Sequence, residues 1–318
     1  MPNIVVLDGY TLNPGDNSWE AFESLGSLTV HDRTPVDKTY ERIKDADIVL
    51  TNKAPLSKDV LDKTTKLKYI GVLATGYNIV DTQSASKKSI CVTNVPGYSG
   101  SSVAQFVFSH ILEHASQVGI HTTAVQSGSW ANSKDFCFYE KPTTEIDTLT
   151  LGIFGLGDIG LKIAHIALSF GMKVIATKRS PLKKAIPGLS IVDKETLLKE
   201  SDFITLNCPL TPETENLINK DSLSLMKKNA ILINTGRGQL IHEQDLADAL
   251  NSNRIAGAGL DVLSTEPPQK DNPLLTAKNC TITPHIAWST LAARKRLMQM
   301  AANNLSAFLS DTPINQVN

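Results

Sequence analysis

Two series of short apolar runs, each alternating with helical segments, constrain the fold of this chain more than any other feature. The first series begins at residue 4 and contains the runs IVVL, DIVLT, KYIGVLAT and ICVTNV. The second begins at Leu149 and contains LTLGIFG, KVIAT, FITLN, AILIN, AGAGLDV and CTITP. Such alternation is typical of βαβ units, whose strands pair in parallel. We therefore expect an α/β fold with two doubly wound parallel sheets.

Length and helical segments set the domain organisation. At 318 residues the chain is long for one compact core, so two domains of about 100 to 200 residues each are expected. Between the two series, residues 100–127 predict the longest helix, which ends at Gly128. Residues 129–148 have no clear period and predict an irregular connection, and a helix over TLAARKRLMQMAANNLSAFL closes the chain.

Composition limits the partners and the compartment. The chain is 41% hydrophobic and 20% charged, with a formal net charge of -1, which is typical of a soluble globular protein that binds neither nucleic acid nor a membrane. The four cysteines include no C-x-x-C pair, so neither a zinc site nor a disulfide framework is expected. The N-terminus lacks a signal peptide pattern. These features predict a cytoplasmic protein with a small neutral or anionic ligand and no metal.

A glycine turn follows the first strand of the second series. Gly155, Gly157 and Gly160 have G-x-G-x-x-G spacing, come directly after LGIF and open a helical segment. In that context the pattern predicts a dinucleotide site, because the glycines admit a tight turn and let pyrophosphate approach the helix N-terminus. The alternative is a tight strand-to-helix turn whose glycines are incidental.

The end of the next strand, KVIAT, is where an acidic residue would hold the ribose hydroxyls of NAD. Lys178, Arg179 and Ser180 stand there instead. A carboxylate would repel a 2'-phosphate, whereas an arginine binds one through charge-assisted hydrogen bonds. This turn therefore favours NADP. The alternative is that both cations face water and NAD binds without the acid.

Three polar residues each follow a predicted strand of the second series: Arg237 in INTGRG, Glu266 in DVLSTEP and His285 in TITPH. The strands of a parallel sheet end at one edge, which also carries the glycine turn, so these side chains are expected to converge. Taken singly, each has an ordinary alternative: a structural histidine, a surface turn at Arg237, and a solvated loop at Glu266. Their shared edge favours one site.

Their chemistry suits reduction of a 2-keto acid. A guanidinium clamps the substrate carboxylate and polarises the keto group. An imidazole passes a proton near neutral pH, and a carboxylate beside it favours its charged form. We therefore expect His285 to donate the proton, Glu266 to pair with it and Arg237 to hold the substrate, with the cofactor supplying hydride.

Together these motifs resemble the D-isomer-specific 2-hydroxyacid dehydrogenases over essentially the whole chain. The matching segments are GIFGLGDIG, NCPLTPET, LINTGRGQLIHEQDLADAL, GAGLDVLSTEPP and TPHIAW. The resemblance implies Arg237, Glu266 and His285 as the catalytic set. It also implies a discontinuous flavodoxin-like substrate domain, residues 1–99 with 288–318, and a Rossmann domain, residues 100–287, with a cleft between them.

The resemblance also implies binding residues. The loop LATGYNIVD looks like the family's substrate loop, and Trp288 either lines the substrate pocket or packs the next helix. The expected substrate contacts are Ala74, Thr75, Gly76, Arg237 and Trp288. The expected cofactor contacts are Ser102, Gly155, Leu156, Gly157, Asp158, Ile159, Lys178, Arg179, Ser180, Cys208, Pro209, Thr214, Thr235, Gly236, Asp261 and His285.

Shorter sequence segments narrow the expected substrate, and two residues depart from the family's pattern. ATGYN, VPGYS and HIAW are most similar to glycerate dehydrogenases, also called hydroxypyruvate reductases, which implies hydroxypyruvate or glyoxylate as substrate. Asn207 and Gln105 depart from a histidine and a glutamate that are frequent in the family, which puts fine cofactor contacts in question.

The resemblance also implies a homodimer, and Trp130, Phe136 and Phe138 are either core or dimer contacts. The alternative function is an NAD(H)-sensing, corepressor-like binding protein on the same fold.

Overall fold

The computed structural model describes residues 1–180 and 184–318, and the described chain folds into two compact units. The first unit comprises Met1–Ser99 and Trp288–Asn318, and the second comprises Gly100–Ala287. No helix within the described residues is both long and apolar enough to cross a membrane.

The first unit, which is described throughout, contains a five-stranded parallel sheet in the order β2-β1-β3-β4-β5. Its strands are β1 (Asn3–Val6), β2 (Ser27–Val30), β3 (Ile48–Thr51), β4 (Tyr69–Val72) and β5 (Cys91–Thr93). Its α-helices are α1 (Glu20–Glu23), α2 (Thr39–Ile43), α3 (Lys58–Lys63), α4 (Thr82–Lys87) and the C-terminal α11 (Leu291–Leu309).

Both faces of this sheet are covered, which explains why its central strands are almost entirely apolar. Alternate residues of a strand point to opposite faces. Ile4 and Val6 accordingly pack against the face that carries α11, whereas Val5 packs into the core on the other face.

In the described part of the second unit, seven parallel strands form one sheet in the order β12-β11-β10-β9-β6-β7-β8. The strands are β6 (Thr150–Phe154), β7 (Lys173–Thr177), β8 (Leu189–Ile191), β9 (Phe203–Leu206), β10 (Ile231–Asn234), β11 (Gly257–Leu260) and β12 (Cys280–Ile282). The helices are α5 (Gly100–Ser116), α6 (Val118–Gln126), α7 (Asp158–Ser169), α8 (Lys194–Glu200), α9 (Lys220–Leu225) and α10 (Glu243–Asn251).

The strand order creates a switch point between β6 and β9. From β6 the chain proceeds to β7 and β8 on one side, and then returns to build β9 to β12 on the other side. Ligands of open parallel sheets bind in the crevice at the carboxyl ends of the strands beside such a switch point. The loops after β6, β9, β10, β11 and β12 therefore surround one site.

Three features differ from the sequence-based expectations. The helix predicted over residues 100–127 is interrupted at Gln117, which has a left-handed φ of 53°, so the segment forms α5 and α6. Strands β2 and β8 were not predicted. Both lie at sheet edges and are mostly solvent-accessible, so they lack the apolar runs of buried strands.

Candidate active site

The glycine turn joins β6 to α7, and its three glycines differ in the space around them. Gly155 has a φ of +91°, and a Cβ there would lie 2.7 Å from the backbone nitrogen of Cys208. A Cβ on Gly160 would lie 2.3 Å from the Gly155 carbonyl oxygen, whereas at Gly157 no atom lies within 4 Å. The turn is therefore tight at its first and third glycines and open at the second, as approach of a phosphate requires.

The helix behind this turn begins with backbone N–H groups that donate to no acceptor among the described residues. Gly157 is the N-cap of α7 and its carbonyl accepts the Leu161 N–H at 2.9 Å. The N–H groups of the first turn point out of the helix and carry its positive dipole end. Asp158 forms an ion pair with Lys162 at 2.9 Å, so its charge is partly balanced within the helix.

The basic turn lies one strand away, at the end of β7. The Lys178 side chain is half-buried, and its Nζ lies 3.4 Å from the Leu156 carbonyl oxygen of the glycine turn. Arg179 and Ser180 are exposed. The Thr211 hydroxyl is the main group that lowers the pKa of Glu213, and Arg179 adds a smaller effect of the same sign. Arg179 therefore faces an acid as well as the solvent.

The loop after β9 contains Cys208, Pro209 and Thr214. The Thr214 hydroxyl donates to the Pro209 carbonyl at 2.8 Å and accepts the Thr211 N–H at 2.7 Å, which fixes the loop. Burial raises the pKa of the Cys208 thiol, so the thiol form predominates near neutral pH. This loop packs against the glycine turn, since a Cβ on Gly155 would lie 2.7 Å from the backbone nitrogen of Cys208.

The turn after β10 contains Thr235, Gly236 and Arg237. The buried Asn234 side chain clamps it, since Oδ1 accepts the Gly236 N–H at 3.0 Å and Nδ2 donates to the Arg237 carbonyl at 2.8 Å. The guanidinium of Arg237 is exposed, and Nη1 donates to the Gly236 carbonyl at 2.8 Å. Thr235 Oγ1 is buried without a hydrogen-bond partner among the described residues.

A close backbone contact brings this turn against the loop that carries Glu266. A Cβ on Gly238 would lie 1.9 Å from the Leu263 carbonyl carbon, so only glycine fits there. Beside it, Gln239 Nε2 donates to the Ser264 carbonyl at 2.9 Å. Arg237 and Glu266 therefore lie on adjoining turns at the same sheet edge.

Glu266 and His285 meet directly. His285 Nδ1 lies 2.5 Å from Glu266 Oε2, and both side chains are about one third exposed or less, at 27% and 34%. The second carboxylate oxygen, Oε1, accepts the Leu263 N–H at 3.2 Å. Because a carboxylate accepts the proton on Nδ1, His285 Nε2 is the ring nitrogen that faces away from Glu266.

Asp261 clamps the segment that carries His285. Its backbone carbonyl accepts the His285 N–H at 2.8 Å. Its carboxylate accepts the Ile286 N–H at 2.9 Å, the Ala287 N–H at 2.8 Å and the Thr283 hydroxyl at 2.6 Å. These contacts hold His285 in a left-handed conformation with a φ of 54°, which is uncommon for a residue other than glycine. Burial raises the pKa of Asp261, whose side chain is almost inaccessible to solvent.

Ser102, another expected cofactor contact, is engaged with the same segment. It is buried near the start of α5, and its hydroxyl donates to the Ala287 carbonyl at 2.5 Å. Ser102 thus holds the backbone that follows His285, in addition to Asp261. Its contact with a cofactor remains a prediction.

The remaining expected substrate residues belong to the first unit. Ala74, Thr75 and Gly76 follow β4, and Thr75 is pinned by its hydroxyl bond to the Val95 carbonyl at 2.9 Å. Trp288 packs edge to face with Tyr98, with ring centroids 6.4 Å apart, so its ring contributes to packing in this unit. Its contact with substrate remains a prediction.

The second unit fits a dinucleotide. The open space at Gly157, the outward N–H groups of α7 and the orphaned hydroxyl of Thr235 lie at one sheet edge, and each has unused capacity for a polar ligand. A doubly wound sheet with such a turn, and with a hydrogen-bonded histidine and glutamate at the same edge, is typical of nucleotide-dependent oxidoreductases.

Comparisons with known proteins place the chain more narrowly. The D-isomer specific 2-hydroxyacid dehydrogenase NAD-binding domain matches residues 108–287. Hydroxypyruvate reductase of Blautia hydrogenotrophica is 49% identical over 321 residues, which cover 99% of each protein. Glycerate dehydrogenase of Methylorubrum extorquens is 38% identical over 283 residues, 88% of each. The solved structure of the acyclic imino acid reductase Bsp5 in complex with NADPH and D-Arg is 32% identical, with a TM-score of 0.84 over 99% of this chain and 100% of that one.

The chain belongs to the D-isomer specific 2-hydroxyacid dehydrogenase family. It is therefore an NAD(P)-dependent oxidoreductase that acts on CH–OH donors. The expected fold class, family and enzyme class are confirmed, as is the need for a nicotinamide cofactor.

Proposed function

We propose that this enzyme reduces a short 2-keto acid, hydroxypyruvate or glyoxylate, to the corresponding D-2-hydroxy acid, D-glycerate or glycolate. The observation that carries this proposal is the 2.5 Å hydrogen bond between His285 Nδ1 and Glu266 Oε2 at the sheet edge that bears the glycine turn. Such a pair supplies a proton donor next to a nucleotide site. Two similar proteins are named hydroxypyruvate reductase and glycerate dehydrogenase, and these names support the proposed class of substrate.

In this mechanism Arg237, Glu266 and His285 have separate tasks. When bound, the nicotinamide cofactor supplies the hydride. Arg237 binds the substrate carboxylate and polarises the keto oxygen, since its guanidinium makes only one bond, to the carbonyl of Gly236, among the described residues. His285 releases its Nε2 proton to the developing alkoxide, and the Glu266 carboxylate stabilises the imidazolium that precedes this transfer.

The expected substrate loop, like Arg237, has groups that suit a carboxylate. Within the described chain, the N–H groups of Thr75 and Gly76 donate to no protein acceptor, and Thr75 is exposed. Backbone donors of this kind suit a carboxylate. We propose that they bind the carboxylate of the substrate.

A steady-state comparison of hydroxypyruvate, glyoxylate and pyruvate with NADH and NADPH tests the proposed function. We expect hydroxypyruvate or glyoxylate to give the highest kcat/KM. If neither cofactor were oxidised with any of the three acids, the proposal would be wrong and the NAD(H)-sensing alternative would gain support.

For the cofactor we propose NADP, held by the glycine turn and by the loops after β9, β10 and β11. Lys178, Arg179 and Ser180 would receive the 2'-phosphate, with Thr235 and Asp261 near the nicotinamide. The supporting observation is that two cations and a hydroxyl follow β7, where NAD enzymes carry an acid. Arg179 also faces Glu213, which limits how much positive charge the turn presents.

Lys178→Asp is expected to shift the ratio of kcat/KM values from NADPH towards NADH by about 100-fold, because it removes one cation and adds a charge that repels the 2'-phosphate. The measurement is kcat/KM for both cofactors at one saturating substrate concentration. Lys184→Asp, at an exposed lysine beyond the turn, is the matched control. An unchanged ratio in Lys178→Asp would show that these cations only face water.

We also propose a homodimer, with the aromatic loop of the second unit as a contact surface. Phe136 is 89% exposed, Tyr139 is 74% exposed and Trp130 is 53% exposed, so this loop is not part of the unit's core. Trp130 Nε1 donates to the Phe136 carbonyl at 2.9 Å, which orders the loop despite its exposure. Clustered exposed aromatic residues are typical of interfaces.

Phe136→Asp is expected to convert a dimer into a monomer, because it places a charge in the apolar centre of the proposed interface. Light scattering during size exclusion should give twice the 34.5 kDa of one chain for the wild type and a single chain mass for the variant. Leu225→Asp, at an exposed leucine on α9, should remain dimeric. A monomeric wild type at micromolar concentration would contradict the proposal.

A further inference from the structure

Two histidines of α5, the buried His110 and the half-buried His114, face the strands that carry the active-site loops. His110 and His114 are four residues apart and therefore lie on one side of the helix, towards β11 and β12. Glycines of β11 make room for them: a Cβ on Gly259 would lie 2.7 Å from the His110 Cβ, and one on Gly257 would lie 2.9 Å from the His114 Cε1. The GAG sequence of β11 thus admits imidazole rings beneath the site.

These rings belong to a chain of hydrogen bonds that ends at Asp261. His114 Nε2 lies 3.0 Å from the Ala258 carbonyl and 3.3 Å from Thr281 Oγ1. Thr281 Oγ1 lies 3.1 Å from His110 Nδ1, and His110 Nε2 lies 3.4 Å from Thr283 Oγ1. The Thr283 hydroxyl completes the chain by donating to Asp261 Oδ1 at 2.6 Å.

The groups at the two ends determine the direction of the bonds at Thr283 and at His114. A carbonyl only accepts, so His114 Nε2 carries a proton, and a carboxylate only accepts, so the Thr283 hydroxyl points at Asp261. Thr283 therefore accepts from His110 Nε2–H. If His110 is neutral, its bare Nδ1 accepts from the Thr281 hydroxyl; if the ring is charged, Nδ1–H donates to Thr281, whose hydroxyl lies 3.4 Å from the Ala258 carbonyl.

Burial favours this neutral state of His110. The residue is 5% exposed, and burial, with a smaller effect from His114, lowers the pKa of His110 to about 4. Burial also lowers the pKa of His114. Near neutral pH the His110 ring therefore has one donor, which is directed at Thr283.

The contact matters because Asp261 holds the segment that carries the proton donor. Its carboxylate binds the N–H groups of Ile286 and Ala287, and its carbonyl binds the N–H of His285. The Thr283 hydroxyl occupies the remaining side of Oδ1 and is itself oriented by His110. Without the ring, this hydroxyl would be free to rotate away from the carboxylate.

We propose that His110 is a positioning residue, which acts through Thr283 on the Asp261 carboxylate and thereby fixes His285 for proton transfer. The proposal rests on the proposed function only for its effect on turnover. Its effect on the 285–287 backbone is independent of any substrate.

The test compares His110→Leu, which removes both ring nitrogens, with His110→Gln, whose Nε2 retains a donor at the position of the ring Nε2. We expect His110→Leu to lower kcat about 10-fold with KM changed less than about 2-fold, and His110→Gln to recover to within about 3-fold of the wild type. Thr283→Val should resemble His110→Leu, and the double variant should be no slower than either single variant. The exposed His165, on α7, gives the matched control His165→Leu, which should equal the wild type.

Amide hydrogen exchange supplies a readout that does not depend on turnover. We expect the amides of residues 285–287 to exchange about 10-fold faster in His110→Leu and Thr283→Val than in the wild type and His165→Leu. Unchanged exchange, additive losses in the double variant, or full activity of His110→Leu would overturn the proposal. If the wild type turned over no 2-keto acid, the proposed function would fail, and the exchange rates would still decide the role of His110.

Discussion

His285→Ala is expected to lower kcat by about 100-fold or more while cofactor binding is retained, as for the loss of a general acid. The reason is that His285 Nδ1 is bound to Glu266 at 2.5 Å, which leaves Nε2 as the proposed proton donor to the alkoxide. The alanine keeps the backbone N–H that binds the Asp261 carbonyl, so the loop retains this support. Stopped-flow single-turnover rates and cofactor titration by fluorescence measure the two quantities separately.

The control for this experiment is His165→Ala, because His165 is exposed on α7 of the same unit. Its kcat should match that of the wild type. If His285→Ala turned over at the wild-type rate, the proton would have to come from another group, and the role proposed for Glu266 would also be wrong. A loss of cofactor affinity equal to the loss of kcat would instead indicate a binding role for His285.

Strand prediction succeeded where burial produced a strong pattern. Strands β6, β9 and β10 are buried on both faces, so they appear in the sequence as nearly continuous apolar runs between turn residues. The edge strands β2 and β8 have neighbours on one side only, and accessible residues such as Ser27 and Ser190 interrupt their pattern. Their pairing depends on the neighbouring strand, which is a tertiary contact.

The candidate site was predictable as far as strand topology determines it. Arg237, Glu266 and His285 could be grouped because parallel strands end at one edge. Residues packed behind them escaped prediction, since the contacts of His110 depend on which side of α5 faces β11 and on the space left by Gly259. The left-handed conformation of His285 also escaped, because several hydrogen bonds to Asp261 impose it rather than local propensity.

The interruption of the helix at Gln117 illustrates the same limit. The nearest residue of low helix propensity, Gly119, comes two positions after the break, and no proline or glycine lies between residues 101 and 117. In the structure the Gln117 side chain donates to the Pro142 carbonyl at 3.0 Å, and its carbonyl accepts from His121 Nδ1 at 2.8 Å. These contacts with the following segment accompany the break and leave no periodic signal in the sequence.

Arg237→Met is expected to lower kcat/KM for the 2-keto acid by about 100-fold or more, because in the proposed mechanism this one cation both binds the carboxylate and polarises the keto oxygen. Asn234 holds the backbone of this turn through bonds to the Gly236 N–H and the Arg237 carbonyl, so the variant should retain its fold. The measurement is kcat/KM with saturating cofactor, together with the cofactor dissociation constant.

Arg237→Lys separates charge from geometry in the same assay. A lysine restores the positive charge but cannot form the paired hydrogen bonds that a guanidinium makes with a carboxylate, so we expect it to recover only about 10-fold of the loss. Lys228→Met, at an exposed lysine before β10, removes a cation near the opposite edge of the sheet and should have no effect. Equal losses in Lys228→Met and Arg237→Met would mean that net charge draws the substrate to the protein. Full recovery with lysine would mean that Arg237 acts as a point charge and not as a clamp.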